Sequence, residues 1–243
     1  PQQPAGRKPA PVLYVLDGNW YFRAASDTAT WGSGPFEPAI VVGISYPTDD
    51  LAEVLRLRAI DMTVKTDPLM FPQGSGRCDE FLRVIEEEVK PFVASRYPVD
   101  PARQMLYGKS LGGLAVLRSL LRNPTSYRTY IAVSPSIWQG DKAVLADESA
   151  FADRARSGAL NLRILITFAS EEEYLGSDPV KLAAEDGQMI TNARALADRL
   201  GKLNPEKIAV RYAMFQDEGH ESVSLATIAR ALTFALPDRP AKK

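Results

Sequence analysis

The chain has 243 residues, with 29 Lys and Arg against 30 Asp and Glu; a formal net charge of -1 leaves no broad electrostatic case for nucleic acid or an anionic membrane surface. Its composition, 45% hydrophobic and 24% charged, is that of a globular protein, with no apolar run long enough to span a bilayer and no secretory signal in the residues present. One cysteine, Cys78, excludes an internal disulfide and a Cys-rich metal site, and one histidine, His220, excludes a multi-His site and is the sole imidazole available as a base.

Residues 1–10 are polar and proline-rich and read as a loop. Pro11 to Leu16 is an apolar strand buried on both faces, ending at Asp17-Gly18-Asn19, and Trp20 to Thr30 reads as a short helix. Ala39 to Ile44 is expected to be a second buried strand. Residues 47–76 show no sustained period and read as a long surface excursion with a helical turn near Leu51–Arg58. An amphipathic helix follows over about 77–96, with Phe81, Leu82, Ile85, Val89, Phe92 and Val93 on its apolar face and Pro91 as a kink.

Gln104 to Tyr107 is a short strand, and a helix begins near Leu114. Tyr130 to Val133 and Leu162 to Phe168 are further strands, with a polar, alanine-rich helix between them over 141–157. Val180 to about Leu200 is helical, with Leu182, Met189, Ile190, Ala193, Leu196 and Leu200 on its apolar face. Lys207 to Phe215 is the last strand, and after His220 a final helix carries Leu225, Ile228 and Leu232. Strands alternate with helices throughout. The pattern predicts one α/β domain over 1–243, built on a mainly parallel sheet flanked by helices. Right-handed crossovers put every strand's C-terminus on one edge, where such sheets bind ligands. Asn19, Ser110, Trp138, Glu172 and His220 each follow a strand, so all five are expected on that edge.

Gly108-Lys109-Ser110-Leu111-Gly112-Gly113 stands between a strand and a helix. Strand, Gly-x-Ser-x-Gly, helix is the sequence form of a nucleophile elbow, in which glycines admit a tight turn and a close helix. Alone, the pentapeptide is better read as a turn whose serine caps a helix. A serine nucleophile needs a base and the base an orienting partner. Ser110, then an acid among Glu171, Glu172 and Glu173, then His220 follow the chain order Ser, acid, His. Glu172 is the first choice of acid, and its neighbours stay open, since an acidic triplet is commonly a solvated face. The oxyanion hole would combine the N–H of Leu111 with one from the loop at Asn19. Trp138, Trp20, Lys109 and Arg77 are candidate pocket residues. Arg58 and Asp61 are expected to pair and pin the long loop. Cys78 reads as a small buried residue.

Leu13 to Asn19, Gly108 to Leu114, Tyr130 to Trp138 with its Ser-Pro-Ser-Ile-Trp, and Gly219-His220-Glu221-Ser222-Val223 together resemble the putative-esterase branch of the α/β-hydrolases, which contains ferri-siderophore trilactone esterases of the enterobactin, salmochelin and bacillibactin type. The resemblance covers nearly the whole chain. It implies ester hydrolysis through an acyl-serine, with no metal or organic cofactor and a small-molecule ester, an iron-siderophore among the candidates, as partner. It carries the nucleophile role to Ser110, the base role to His220 and the oxyanion role to the Asn19 and Leu111 amides. Related branches cleave feruloyl or acetyl esters, or transfer acyl groups, so acyl transfer and binding on a hydrolase scaffold stand as alternatives. Two departures are visible. Lys109 stands where the family often has His, and two family strands that would precede Leu13 are not in the sequence, so either a smaller sheet or a trimmed start is expected.

Overall fold

Alternation along the first strand decides how the layers form. In β1 (Ala10–Val15), Leu13 and Val15 join one buried cluster, and Val12 and Tyr14 join another on the opposite face. A strand apolar on both faces needs cover on both, which is the condition of a parallel sheet between two helix layers. The computed structural model, which describes residues 8–30, 37–66, 71–173 and 188–236, has this arrangement. β1, β2 (Ile40–Gly43), β3 (Val99–Lys109), β4 (Thr129–Val133), β5 (Leu162–Ala169) and β6 (Ile208–Phe215) pair in parallel in the order β2-β1-β3-β4-β5-β6.

The Leu13 face is covered by α1 (Gly18–Thr30) and α9 (Val223–Ala235), through Tyr21, Ala25, Ile228 and Leu232. The Val12 face takes α2 (Leu51–Met62), α3 (Cys78–Val84) with its continuation, α5 (Leu111–Arg122), α7 (Glu148–Arg156) and α8 (Met189–Gly201). Between β4 and α7 lie the short α6 (Gln139–Lys142) and a 3-10 turn (Ala143–Asp147). Among the described residues no helix is long and apolar enough to cross a membrane.

Several expectations are corrected. The strand at Ile40–Gly43 is an edge strand and only half-buried, because β1 alone pairs with it. The excursion over 47–76 holds a full helix, α2, which starts where Asp50 accepts the Ala52 N–H at 2.9 Å. The helix expected over 77–96 changes pitch: α3 passes through a π turn (Ile85–Val89) into α4 (Lys90–Ala94). Pro91 has no N–H to continue the ladder, and the wider turn ahead of it relieves the ring's clash with the preceding turn. The extra residue shifts the helical phase, so Phe92 leaves the apolar face and lies exposed under the Arg96 guanidinium. Leu225 is likewise exposed at the start of α9. Of the helix expected from Val180, residues 180–187, Leu182 with them, lie outside the described residues, and α8 supplies the rest.

The sheet order reverses between β1 and β3. The chain leaves β1 for β2 on one side and returns for β3 on the other. A crevice opens at such a reversal beyond the strands' C-termini, and here it is flanked by the loop after β1 and by Ser110. α5 approaches β3 closely because Gly108 has no side chain: a Cβ there would lie 2.3 Å from the Gly112 carbonyl oxygen. That oxygen is backbone and moves only with α5. Gly108→Ala is therefore expected to destabilise the fold by about 1–3 kcal/mol, a fall in Tm of roughly 2–12 °C at this chain length. Thermal denaturation measures it, and an unchanged Tm would contradict the close approach.

Candidate active site

Ser110 follows β3 directly and has φ 60° and ψ -119°, a backbone conformation that a side chain makes costly. Its neighbours hold it there. Its N–H donates to the Val133 carbonyl at 2.9 Å, and its carbonyl accepts from Leu114 at 2.9 Å and from Ser136 at 3.2 Å. The Ser110 hydroxyl lies 3.3 Å from the hydroxyl of Ser136, which is buried, and forms no hydrogen bond to His220. Both Ser110 and His220 line one cleft of about 530 Å³, with Trp20, Leu51, Leu55 and Leu225 among its other walls.

His220 sits between β6 and α9. The loops after β5 and β6 are tied together: Ser170 N–H donates to Phe215 O at 2.9 Å, Asp217 N–H to Ser170 Oγ at 2.9 Å, and Glu171 N–H to Glu218 O at 3.1 Å. These ties bring His220 Nδ1 to 2.6 Å from Glu172 Oε1. The other carboxylate oxygen, Oε2, accepts from Ser134 Oγ at 2.8 Å and from the Ala169 N–H at 2.7 Å, so the buried Glu172 is fixed at both oxygens. Glu171 is exposed, and Glu173 turns away to accept from the Thr191 N–H and hydroxyl. Of the three glutamates, only Glu172 hydrogen-bonds the imidazole.

The loop after β1 is shaped by Asp17, which is buried at φ 54°, and by Asn19. The Asn19 side chain accepts from the Tyr46 N–H at 2.8 Å and donates to the Tyr46 and Thr48 carbonyls at 3.0 and 3.3 Å. Its backbone N–H and that of Leu111 open helices α1 and α5, where first-turn amides have no intrahelical acceptor. A helix N-terminus favours a developing anion; Asn19 and Leu111 themselves are not among the residues that line the cleft, though their neighbours Trp20 and Ser110 are.

The expected pairing of Arg58 with Asp61 is not formed. Arg58 Nε donates to Asp17 Oδ1 at 2.8 Å, and a second nitrogen donates to the Lys109 carbonyl at 2.9 Å. Asp61 faces Tyr46 and Arg77 instead. The reason is burial: Arg58 lies on the inner face of α2, where an unpaired cation would be costly and Asp17 is the carboxylate within reach. Trp20 lines the cleft and lies under the Arg58 guanidinium, 5.8 Å from the ring centroid. Lys109 also lines the cleft, with Nζ 3.2 Å from Glu221 Oε2. Trp138 and Arg77 are not among the cleft's lining residues: Trp138 stacks on Phe71, and Arg77 lies exposed ahead of α3. Cys78 is buried as a free thiol. Sequence reasoning gave no role to Ser134, Ser136 or Asp17. Each lies within three residues past a strand's C-terminus, and that position was the one available signal.

A serine held on a strand-to-helix turn at the carboxyl edge of a parallel sheet defines the α/β-hydrolases. Comparison with known proteins narrows the class. The family model described as "Putative esterase" matches residues 1–220, and the chain belongs to that family. It is 34% identical to the ferri-bacillibactin esterase BesA of Bacillus subtilis, over 99% of this chain and 83% of the relative. It is 32% identical to the siderophore triacetylfusarinine C esterase of Aspergillus fumigatus, over 97% and 84%. Among solved structures, the BES protein from Bacillus cereus superposes with a TM-score of 0.82 at 29% identity, over 98% of this chain and 87% of that one.

Burial pulls the Lys109 ammonium below the ordinary lysine value of 10.5, against the opposing pull of Glu221. The unfolded chain then holds this proton more tightly than the folded one. Stability rises with pH between the folded value and 10.5, the interval in which only the unfolded state keeps the proton. Lys109→Met abolishes that dependence. The Tm of the variant relative to the parent should be highest near neutral pH and decline toward alkaline pH. A difference that stays constant across this range would contradict a depressed Lys109.

Proposed function

We propose that this esterase works through an acyl-serine intermediate, with Ser110 as nucleophile, His220 as general base and acid, and Glu172 as the group that orients the imidazole. The observation that carries the reading is the 2.6 Å contact of His220 Nδ1 with a Glu172 carboxylate anchored at its other oxygen, at the rim of the cleft that contains Ser110. Glu172 accepts a hydrogen bond from the Nδ1–H, which holds the tautomer whose Nε2 is free to accept the proton of Ser110. Catalytic hydrogen bonds are often loose before substrate arrives, and the set is completed when the Ser110 hydroxyl turns from Ser136 to His220.

Ser110 Oγ attacks the ester carbonyl as its proton passes to His220. The carbonyl oxygen becomes an oxyanion held by the Asn19 and Leu111 N–H groups. As the tetrahedral species collapses, the alkoxide leaves with the proton from His220. Water then attacks the acyl-serine by the same steps in reverse, giving the acid and free Ser110.

For the substrate we propose an ester siderophore of the trilactone kind or another bulky carboxylic ester. The support is the set of relatives named as esterases of ferri-bacillibactin and triacetylfusarinine C, together with an open cleft walled by Trp20, Leu51, Leu55 and Leu225.

Ser110→Ala and His220→Ala should each lower kcat/KM on a neutral aryl ester by about a thousandfold or more, and Glu172→Gln by roughly 10²–10⁴, with circular dichroism unchanged. Full activity in Ser110→Ala would overturn the assignment. Iron-free and iron-loaded trilactones, followed by chromatography for loss of the intact ester, test the substrate class. Turnover of small esters with none of either trilactone would remove siderophores from it.

A further inference from the structure

The cleft holds a charged side chain to which acyl-serine chemistry gives no task. Lys109 stands directly before Ser110 and lines the same cleft. Strand alternation puts it on the sheet face of Tyr107, two residues earlier, toward α1 and the start of α9. Its side chain is only 4% exposed, so water does little for the ammonium. A cation taken out of water needs acceptors from the protein or from a ligand.

Among the described residues the Lys109 ammonium has one hydrogen-bond partner, Glu221 Oε2 at 3.2 Å. An ammonium carries three donors, so this single bond leaves two for another acceptor in the cleft. The hydroxyls of Tyr21 and Ser224, which line the same end, bond each other at 3.4 Å.

Glu221 is itself a loosely held partner. Its side chain is 90% exposed, and an exposed carboxylate gives up little when it turns away to water. The charge count points the same way. Asp17, Arg58, Lys109 and Glu172 are buried and sum to zero, with His220 in the neutral form that accepts a proton. Glu221 adds one negative charge at the rim. A second carboxylate that takes its place leaves the local charge unchanged. Burial weighs most against the charge on Lys109; Glu221 supports it, Arg58 opposes it and Glu172 supports it. A ligand carboxylate at the Glu221 position would support it in the same way.

We propose that Lys109 is a specificity-determining residue whose ammonium receives a carboxylate of the substrate in exchange for Glu221. The cleft then selects esters that carry a free carboxylate over neutral esters of the same shape. The proposal rests on the acyl-serine reading above. Lys109 binds the substrate without forming a covalent bond to it.

The test compares two pairs of esters, each a free acid beside its methyl ester. 4-Nitrophenyl hydrogen adipate and 4-nitrophenyl methyl adipate place the charge on the acyl side, and 4-acetoxybenzoate and methyl 4-acetoxybenzoate place it on the alcohol side. The readout is kcat/KM for the acid divided by kcat/KM for its methyl ester, so a general loss of activity cancels. Lys109→Met keeps most of the side chain's length and drops the charge. It should lower this ratio by about tenfold or more in at least one pair, chiefly through KM, the scale of one hydrogen bond to a charged group. Glu221→Gln removes the competing carboxylate and should raise the ratio in the same pair by about threefold or more.

A smaller fall in both pairs for folded Lys109→Met would overturn the proposal and leave Lys109 a structural residue. A ratio that fails to rise in both pairs for Glu221→Gln would overturn it too, and this surface variant decides alone if Lys109→Met does not fold. Failure of the acyl-serine reading is separate. It would appear in the parent enzyme as no labelling of Ser110 by a phosphonate.

Discussion

Non-glycine residues at positive φ are scarce because each costs about 1–3 kcal/mol and persists only where its surroundings leave no alternative. Four of them gather here at the carboxyl edge of one sheet: Asp17 at 54°, Ser110 at 60°, Ser134 at 43° and Asp217 at 59°. Each falls one or two residues beyond a strand, after β1, β3, β4 and β6. The strain at Ser110 is over-determined by the Val133 carbonyl below it, by Leu114 and Ser136 on its own carbonyl, and by a helix that packs down onto Gly108. The sheet and both helix layers therefore serve one geometric end. They force a serine out of a strand at an angle that leaves its hydroxyl in a cleft.

Around that serine lie four buried ionisable side chains, Asp17, Arg58, Lys109 and Glu172, of which Arg58 and Lys109 line its cleft. Two are cations and two are carboxylates, so the group is balanced in charge. Burial raises the Asp17 pKa, with Arg58 and then Lys109 opposing it. Pairs of this kind seldom add stability over well-packed apolar residues, since desolvation offsets their attraction. What they supply here is direction. Arg58 joins the two loops that open the crevice, and Glu172, gripped by Ser134 and the Ala169 amide, offers its free oxygen to His220.

The legible parts of this fold were those in which burial follows a period. β1, β3, β4 and β5 are covered on both faces in the stretches that read as continuous apolar runs, α5 is buried nearly all round, and α8 has a clean apolar stripe. α2 was legible only as a helical turn near Leu51–Arg58, for a specific reason. Its buried residues are Val54, Arg58, Ala59 and Met62, so an arginine occupies a core position and breaks the pattern. The pitch change before Pro91 was hidden because a π turn alters phase without altering composition. In the site, Ser110 and His220 stood out by motif and by count. The choice among Glu171, Glu172 and Glu173 could not be read, because direction along a loop has no period. The Arg58–Asp17 contact joins residues 41 apart and follows from topology alone.

The central claim is that chemistry passes through a covalent bond to Ser110. Its most direct test is acid quench of the enzyme during turnover of a slowly deacylated aryl ester, followed by peptide mass mapping. The account predicts the acyl mass on the peptide that contains Ser110, appearing with the first burst of alcohol and decaying as substrate runs out. Steady turnover with no adduct on that peptide, or an adduct on another residue that is kinetically competent, would contradict it.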